Sequence, residues 1–294
     1  MGLHPTIISL FTGYGGLEMG LDSALGGTRT VCMVEREAFA IANLVAQMEA
    51  GAVAPAPIWT DVATFDGRGW RPDIITAGIP CQPWSCGGLR LGLDDDRWVW
   101  PDVARIVGET GAPVLFLECT PGLRRGGLPI ILHDLAALGF DGAEWGSFTA
   151  SEAGAPHRRT RLFLLAYSDR EQLRQLRRWG SGQGGTGAAQ PQHAGATVGN
   201  ADSARPQEHS RQRRDARAQQ SATVRASGGM GFPPGPDDSD GWRRWLGSGG
   251  PQPGIRGGTH GAPDRVDRIR LLGNGVCPAQ AALAFRELSS RAFE

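Results

Sequence analysis

Cys81 sits between two prolines in the stretch Ile79-Pro80-Cys81-Gln82-Pro83-Trp84-Ser85. Each proline fixes its own φ and restricts the residue before it, so the loop offers its thiol with little freedom. A cysteine held this way is a candidate nucleophile, acting as its thiolate, or else a small buried hydrophobe with a packing role. Glu118 closes the apolar run Leu115-Phe116-Leu117. A carboxylate in that position is costly unless it is paired or used in chemistry. In Arg159-Thr160-Arg161-Leu162-Phe163 cations alternate into an apolar strand. Arg159 and Arg161 then share a face and call for an anion or a carboxylate. The turn Phe11-Thr12-Gly13-Tyr14-Gly15-Gly16 allows backbone to approach a ligand closely, although it is not a GxGxxG pattern. Glu35, about 20 residues further on, suits ribose hydroxyls. Each feature also has a plain structural reading: a tight strand–helix turn, a helix N-terminal acid, a solvated strand-end carboxylate or surface arginines.

The elements that must hold these residues follow from hydrophobic pattern. Apolar runs at Thr6 to Phe11, Thr30 to Val34, Asp73 to Ala77, Val114 to Leu117 and Arg161 to Ala166 predict strands. Leu17, Leu21 and Leu25 at four-residue spacing predict a helix after the glycine turn, and 38–49, 102–110 and 128–138 predict three more. Strands alternating with helices imply an α/β fold with a doubly wound, mostly parallel sheet. A rigid loop at a strand's carboxyl end, where Cys81 falls, is where such sheets carry their chemistry.

After Tyr167 the composition changes. Residues 168–228 hold almost no apolar run, are rich in Gly, Gln, Ser, Ala and Arg, and predict loops or disorder. Residues 229–263 are rich in Pro and Gly with Phe232, Trp242 and Trp245. Helical character returns in Val266 to Phe293, after an expected turn at Gly273-Asn274-Gly275. The reading is a catalytic domain of 1–167 plus 264–294 around an irregular region of 168–263.

Formal net charge is zero, but its distribution is uneven. Residues 1–120 carry 7 Arg against 14 acids, whereas residues 168–228 carry 10 Arg against 5 acids, and the chain has no lysine. Arginine suits bidentate phosphate and guanine contacts. A solvated linker is the plain alternative for the Arg-rich stretch. The five cysteines are scattered without zinc spacing, so no metal is expected and a reduced, cytoplasmic setting fits. No apolar run reaches the length of a membrane helix, and the N-terminus lacks a secretory pattern.

Taken together and in this order, the motifs resemble those of the DNA cytosine-5 methyltransferases of bacteria and phages. Ser9 to Leu17 is similar to the family's first motif, Val34-Glu35 to its ribose-binding acid, and Thr60-Asp61-Val62 to its adenine-binding acid. Gly78 to Ser85 is similar to its Pro-Cys-Gln loop, Glu118 to its Glu-Asn-Val acid, and His157 to Arg161 to its Gln-x-Arg-x-Arg. Leu272 to Pro278 is similar to its last motif. The resemblance covers residues 6–167 and 264–285. Three departures stand out: Cys119-Thr120 where the family has Asn-Val, His157 where it has Gln, and no evident segment packing on the recognition domain before the last motif.

The resemblance implies a Rossmann-like S-adenosylmethionine methyltransferase fold with a small target-recognition insert in 168–263. It implies Cys81 as the nucleophile on cytosine C6, Glu118 and Arg161 on the base, and Arg159 as a weaker catalytic candidate. It implies S-adenosylmethionine lying against Phe11, Gly13, Gly15, Gly16, Glu35, Asp61, Pro80, Val99, Asn274 and Val276. The implied partner is double-stranded DNA, with the base flipped from the helix, and the implied state is a monomer. RNA as substrate, or a methyltransferase-like DNA reader without catalysis, are the competing expectations.

Overall fold

The computed structural model describes residues 4–80, 98–180 and 265–294. The described strands are β1 (Thr6–Leu10), β2 (Arg29–Val34), β3 (Ile58–Trp59), β4 (Ile74–Gly78), β5 (Val114–Cys119), β6 (Gly142–Thr149) and β7 (Thr160–Tyr167). The described α-helices are α1 (Gly16–Leu25), α2 (Ala38–Glu49), α3 (Trp100–Thr110), α4 (Gly127–Ala137), α5 (Arg170–Gly180), α6 (Arg265–Asn274) and α7 (Pro278–Arg291).

Among the described residues the strands form one sheet in the order β3-β2-β1-β4-β5-β7-β6. β1 to β5 run parallel, while β7 is antiparallel to both β5 and β6. The sheet is thus α/β and mostly parallel, as the alternation predicts. The sheet order reverses direction between β1 and β4, the place where open α/β sheets leave a crevice at their carboxyl edge.

Both faces are covered, which is why the central strands read as continuous apolar runs rather than alternating ones. On one face Ile8, Leu10, Ile75, Ala77, Leu115 and Leu117 pack on α3 and α4 through Val103, Ile106, Ile131 and Leu135. On the other, Ile7, Ile74, Val114 and Phe116 pack on α1, α5 and α7 through Leu21, Leu173, Phe285 and Leu288. Phe116 stacks on Phe163 at 5.6 Å and meets Phe285 edge-on at 5.4 Å. Fully burying a ring of this size stabilises by about 1.5–3 kcal/mol, so the cluster ties α7 firmly to the sheet.

The structure corrects the sequence reading in two stretches. Arg170–Gly180, expected as loop or disorder, is helical, with Leu173 and Leu176 buried. Two leucines three residues apart seat one face on α1 and α7 while the arginines face outward. The expected turn at Gly273-Asn274 instead closes α6, because Gly275 N still donates to Leu271 O at 2.9 Å. The remainder of the 168–263 region, from residue 181, lies outside the described residues, as does Cys81.

Candidate active site

The first motif of the site is built by backbone strain. β1 ends at Leu10, and Phe11 takes φ +56°, a left-handed value rare outside glycine, while Gly13 and Gly15 follow at +59° and +89°. Non-glycine residues held there cost about 1–3 kcal/mol and gather at ligand sites. The turn is fixed from several sides. Gly15 N donates to Thr12 O at 2.9 Å, Thr12 N to Val34 O at 3.3 Å, and Gln47 Nε2 to Tyr14 O at 3.2 Å. A Cβ on Gly13 would meet nothing within 4 Å, so the space over the turn is open.

Glu35 follows β2 directly and is buried, with 7% of its surface exposed. One carboxylate oxygen accepts from Gly13 N at 2.7 Å and the other from Glu37 N at 2.8 Å. Each oxygen keeps a lone pair, so the group is oriented by the backbone yet still able to accept from two neighbouring hydroxyls. Asp61 is exposed after β3 and caps the short turn Val62–Thr64 by accepting from Ala63 N at 3.0 Å. Open space above the glycine turn, an oriented acid beside it and a second acid beyond fit an adenosine-bearing cofactor such as S-adenosylmethionine.

The acid–arginine pair forms at the same edge. Glu118 lies on β5 in register with Gly78 of β4, and Ile79 N donates to Glu118 O at 3.0 Å. Pro80, half-buried, follows at once and leads into Cys81. Since β7 runs antiparallel to β5, with Cys119 opposite Leu162, its first residues arrive at the carboxyl end of β5. Arg161 Nε therefore comes within 2.8 Å of Glu118 Oε1, with side chains 16% and 4% exposed.

Arg159 takes another direction. Its guanidinium donates to Leu272 O at 3.4 Å and also to Gly275 O. The 272–276 segment thus meets the site although it lies more than 100 residues downstream. Tyr14 Oη donates to Val276 O. Val276 is buried, whereas Asn274 is exposed. Burial first, and then Cys277, push the Tyr14 hydroxyl well above its usual range, so it remains a donor. Gly16 permits this approach, since a Cβ there would come 2.2 Å from Val276 O. Val99, half-buried, precedes α3 and packs against the apolar cluster on that face of the sheet.

Sequence reasoning missed four contributors. Tyr14 and Gln280 hold the C-terminal segment, and nothing in their spacing announced it. Glu18 and Thr76 form a buried pair beneath the turn, where Thr76 Oγ1 donates to Glu18 Oε1 at 2.5 Å. Burial raises the Glu18 carboxyl. Its position one residue after an apolar helix start is the single signal that could have marked it.

Of the described cysteines, burial drives Cys32 up to about 11 and raises Cys277 as well, which makes both poor thiolates at neutral pH. Among the described residues no cluster of His, Cys, Asp or Glu could hold a metal ion.

Residues 5–228 match the family model of the C-5 cytosine-specific DNA methylases. The chain is 32% identical over 174 residues to the type II methyltransferase M.PspPI of a Psychrobacter species, covering 56% of this chain and 41% of that protein. It is 30% identical over 170 residues to M.NgoMIV of Neisseria gonorrhoeae, covering 55% and 51%. To M.CviJI of a Paramecium bursaria Chlorella virus it is 31% identical over 163 residues, covering 54% and 42%. The chain thus spans about half the length of the curated relatives it matches. Among solved structures it is similar to the Dnmt2 methyltransferase of S. pombe, at 18% identity and TM-score 0.45 over 56% of this chain and 51% of that one. With more than half of its residues under the family model, the chain belongs to the C-5 cytosine-specific DNA methylase family.

Proposed function

We propose that this protein is a DNA (cytosine-5)-methyltransferase that uses S-adenosylmethionine. The observation that carries the reading is the Glu118–Arg161 pair, 2.8 Å apart and set beside the strand end that leads to Cys81. C5 of cytosine is a poor nucleophile until a group adds at C6. Cys81 supplies that group: its thiolate bonds to C6 and makes C5 enamine-like. Glu118 hydrogen-bonds at N3, where charge develops, and Arg161 holds both the carboxylate and the base carbonyl. S-adenosylmethionine, when bound, supplies an electrophilic methyl group to C5. Loss of the C5 proton to a base then expels Cys81 as thiolate and restores the ring.

Glu35 is set to take the cofactor's ribose hydroxyls and Asp61 its adenine amine. Phe11, Gly13, Gly15, Gly16, Pro80, Val99, Asn274 and Val276 line the remainder of the proposed pocket. The type II methyltransferase relatives support a restriction-modification or related DNA-modifying role. Double-stranded DNA is the proposed substrate and a cytoplasmic monomer the proposed state. Among the described residues no helix is long and apolar enough to cross a membrane. Four of the ten arginines offered for phosphate contact, Arg170, Arg174, Arg177 and Arg178, stand on α5. That helix abuts the C-terminal end of α1, where a Cβ on Gly180 would meet Ala24 O at 2.2 Å. This is the sheet edge opposite Glu118, so phosphate contact near the base falls to other groups.

The test is methyl transfer from labelled S-adenosylmethionine to duplex DNA and, in parallel, to tRNA, with Cys81→Ser beside the wild type. Label in DNA that vanishes with Cys81→Ser is expected, together with covalent trapping of the wild type on 5-fluorocytosine DNA. Label in tRNA alone would move the substrate to RNA, and label in neither would end the enzyme reading.

A further inference from the structure

We infer that Arg159 is a positioning residue, which clamps the 272–276 segment onto the glycine turn and so builds the cofactor side of the site. This inference rests on the S-adenosylmethionine reading above. A helix leaves its last carbonyls without partners inside the helix, and a cation near that end is favoured by the helix dipole. Leu272 O belongs to the last turn of α6 and Gly275 O follows the helix by one residue, and the Arg159 guanidinium donates to both. The planar fork of arginine suits two diverging acceptors, which a lysine ammonium serves less well.

The backbone of Arg159 is itself anchored. Gln280 Nε2, fully buried on α7, donates to Arg159 O at 2.8 Å and to Phe148 O at 2.8 Å. On the far side of the segment, Tyr14 of the glycine turn holds Val276 O. A Cβ on Gly275 would come 2.0 Å from the Tyr14 ring, so turn and segment touch. Arg159 and Tyr14 thus fix residues 272–276 from two elements that are remote in sequence, and Gln280 anchors the Arg159 backbone. Arg161, two residues on, meets Glu118 instead. The two arginines divide the work: Arg161 serves the base and Arg159 the cofactor wall.

The experiment uses the full chain and S-adenosylhomocysteine as the probe. Titration calorimetry without DNA gives its affinity, steady-state assays give kcat at saturating cofactor, and hydrogen exchange follows the amides of 273–277. Arg159→Ala is expected to weaken binding by about tenfold or more, to speed exchange at 273–277, and to leave kcat at saturating cofactor within about threefold. Tyr14→Phe should move binding the same way, and Arg159→Lys should fall between Ala and wild type. Arg161→Ala should instead lower kcat with affinity kept. If Arg159→Ala does not fold, Arg159→Lys carries the same comparison. Unchanged affinity, or a kcat loss above about a hundredfold with affinity kept, would overturn the inference. Should wild type itself fail to bind, the cofactor reading falls, and the exchange arm still decides whether Arg159 clamps the segment.

Discussion

Changing Arg161 to methionine removes the cation beside Glu118 while keeping an unbranched stem of similar length. Glu118 is 3% exposed on a strand flanked by β4 and β7, so little water reaches it to replace the lost partner. Removing one member of a buried pair typically costs about 3–5 kcal/mol, because the charge left behind is uncompensated. Total stabilities run at about 5–15 kcal/mol, so this single change consumes a large part of the reserve. The reverse change is milder. Glu118→Gln keeps the shape and an acceptor oxygen, and Arg161, 16% exposed and already donating to Thr160 O at 2.9 Å, retains partners. Its cost should be about 1–2 kcal/mol. The double variant Arg161→Met with Glu118→Gln should then recover about 1–3 kcal/mol relative to Arg161→Met alone, since no buried charge remains. Urea unfolding of all four proteins at neutral pH measures this cycle. An Arg161→Met protein within about 1 kcal/mol of wild type, or a double variant no more stable than Arg161→Met, would refute the reasoning.

Two further outcomes follow from the same geometry. Burial raises the Glu18 carboxyl above its usual 4.5, so the native state binds its proton more tightly than the unfolded chain; the stability this contributes is full below about 4.5 and is lost as pH rises through the native value. Glu18→Gln, which still accepts from Thr76, should flatten that part of the pH profile, and unfolding midpoints across the acidic to neutral range would show no flattening if the reasoning is wrong. Gly16→Ala drives a methyl to within 2.2 Å of Val276 O, a backbone atom; it should loosen the 272–276 segment and weaken S-adenosylhomocysteine binding far more than Gly273→Ala, whose added methyl meets nothing within 4 Å. Calorimetry on both variants makes the comparison.

The legible parts of the fold were those whose physics is local. β1, β2, β4, β5 and β7 are apolar runs because both faces of the sheet are covered, and α1 repeats leucine at helical spacing. β6 went unread: Gly142–Thr149 is an edge strand whose residues are mostly half-buried, so no clean pattern forms. β3 has only two residues. α5 was masked by its arginines, since Leu173 and Leu176 alone mark its buried face.

The same division holds for the site. Residue types and order alone singled out Cys81, Glu118, Glu35, the glycine turn and the two arginines, because a strained turn, a carboxylate after a buried strand and cations entering a strand are conspicuous in any fold. Their partners were decided only in three dimensions. A parallel β7 would have carried Arg161 to the far edge of the sheet; running antiparallel beside β5, it delivers the guanidinium to Glu118. Arg159 and Arg161, expected to act together, separate because α6 ends against one of them and leaves carbonyls that need a donor. Sequence displays the chemistry a chain carries, but strand direction and helix ends, set by packing between distant segments, decide which groups meet.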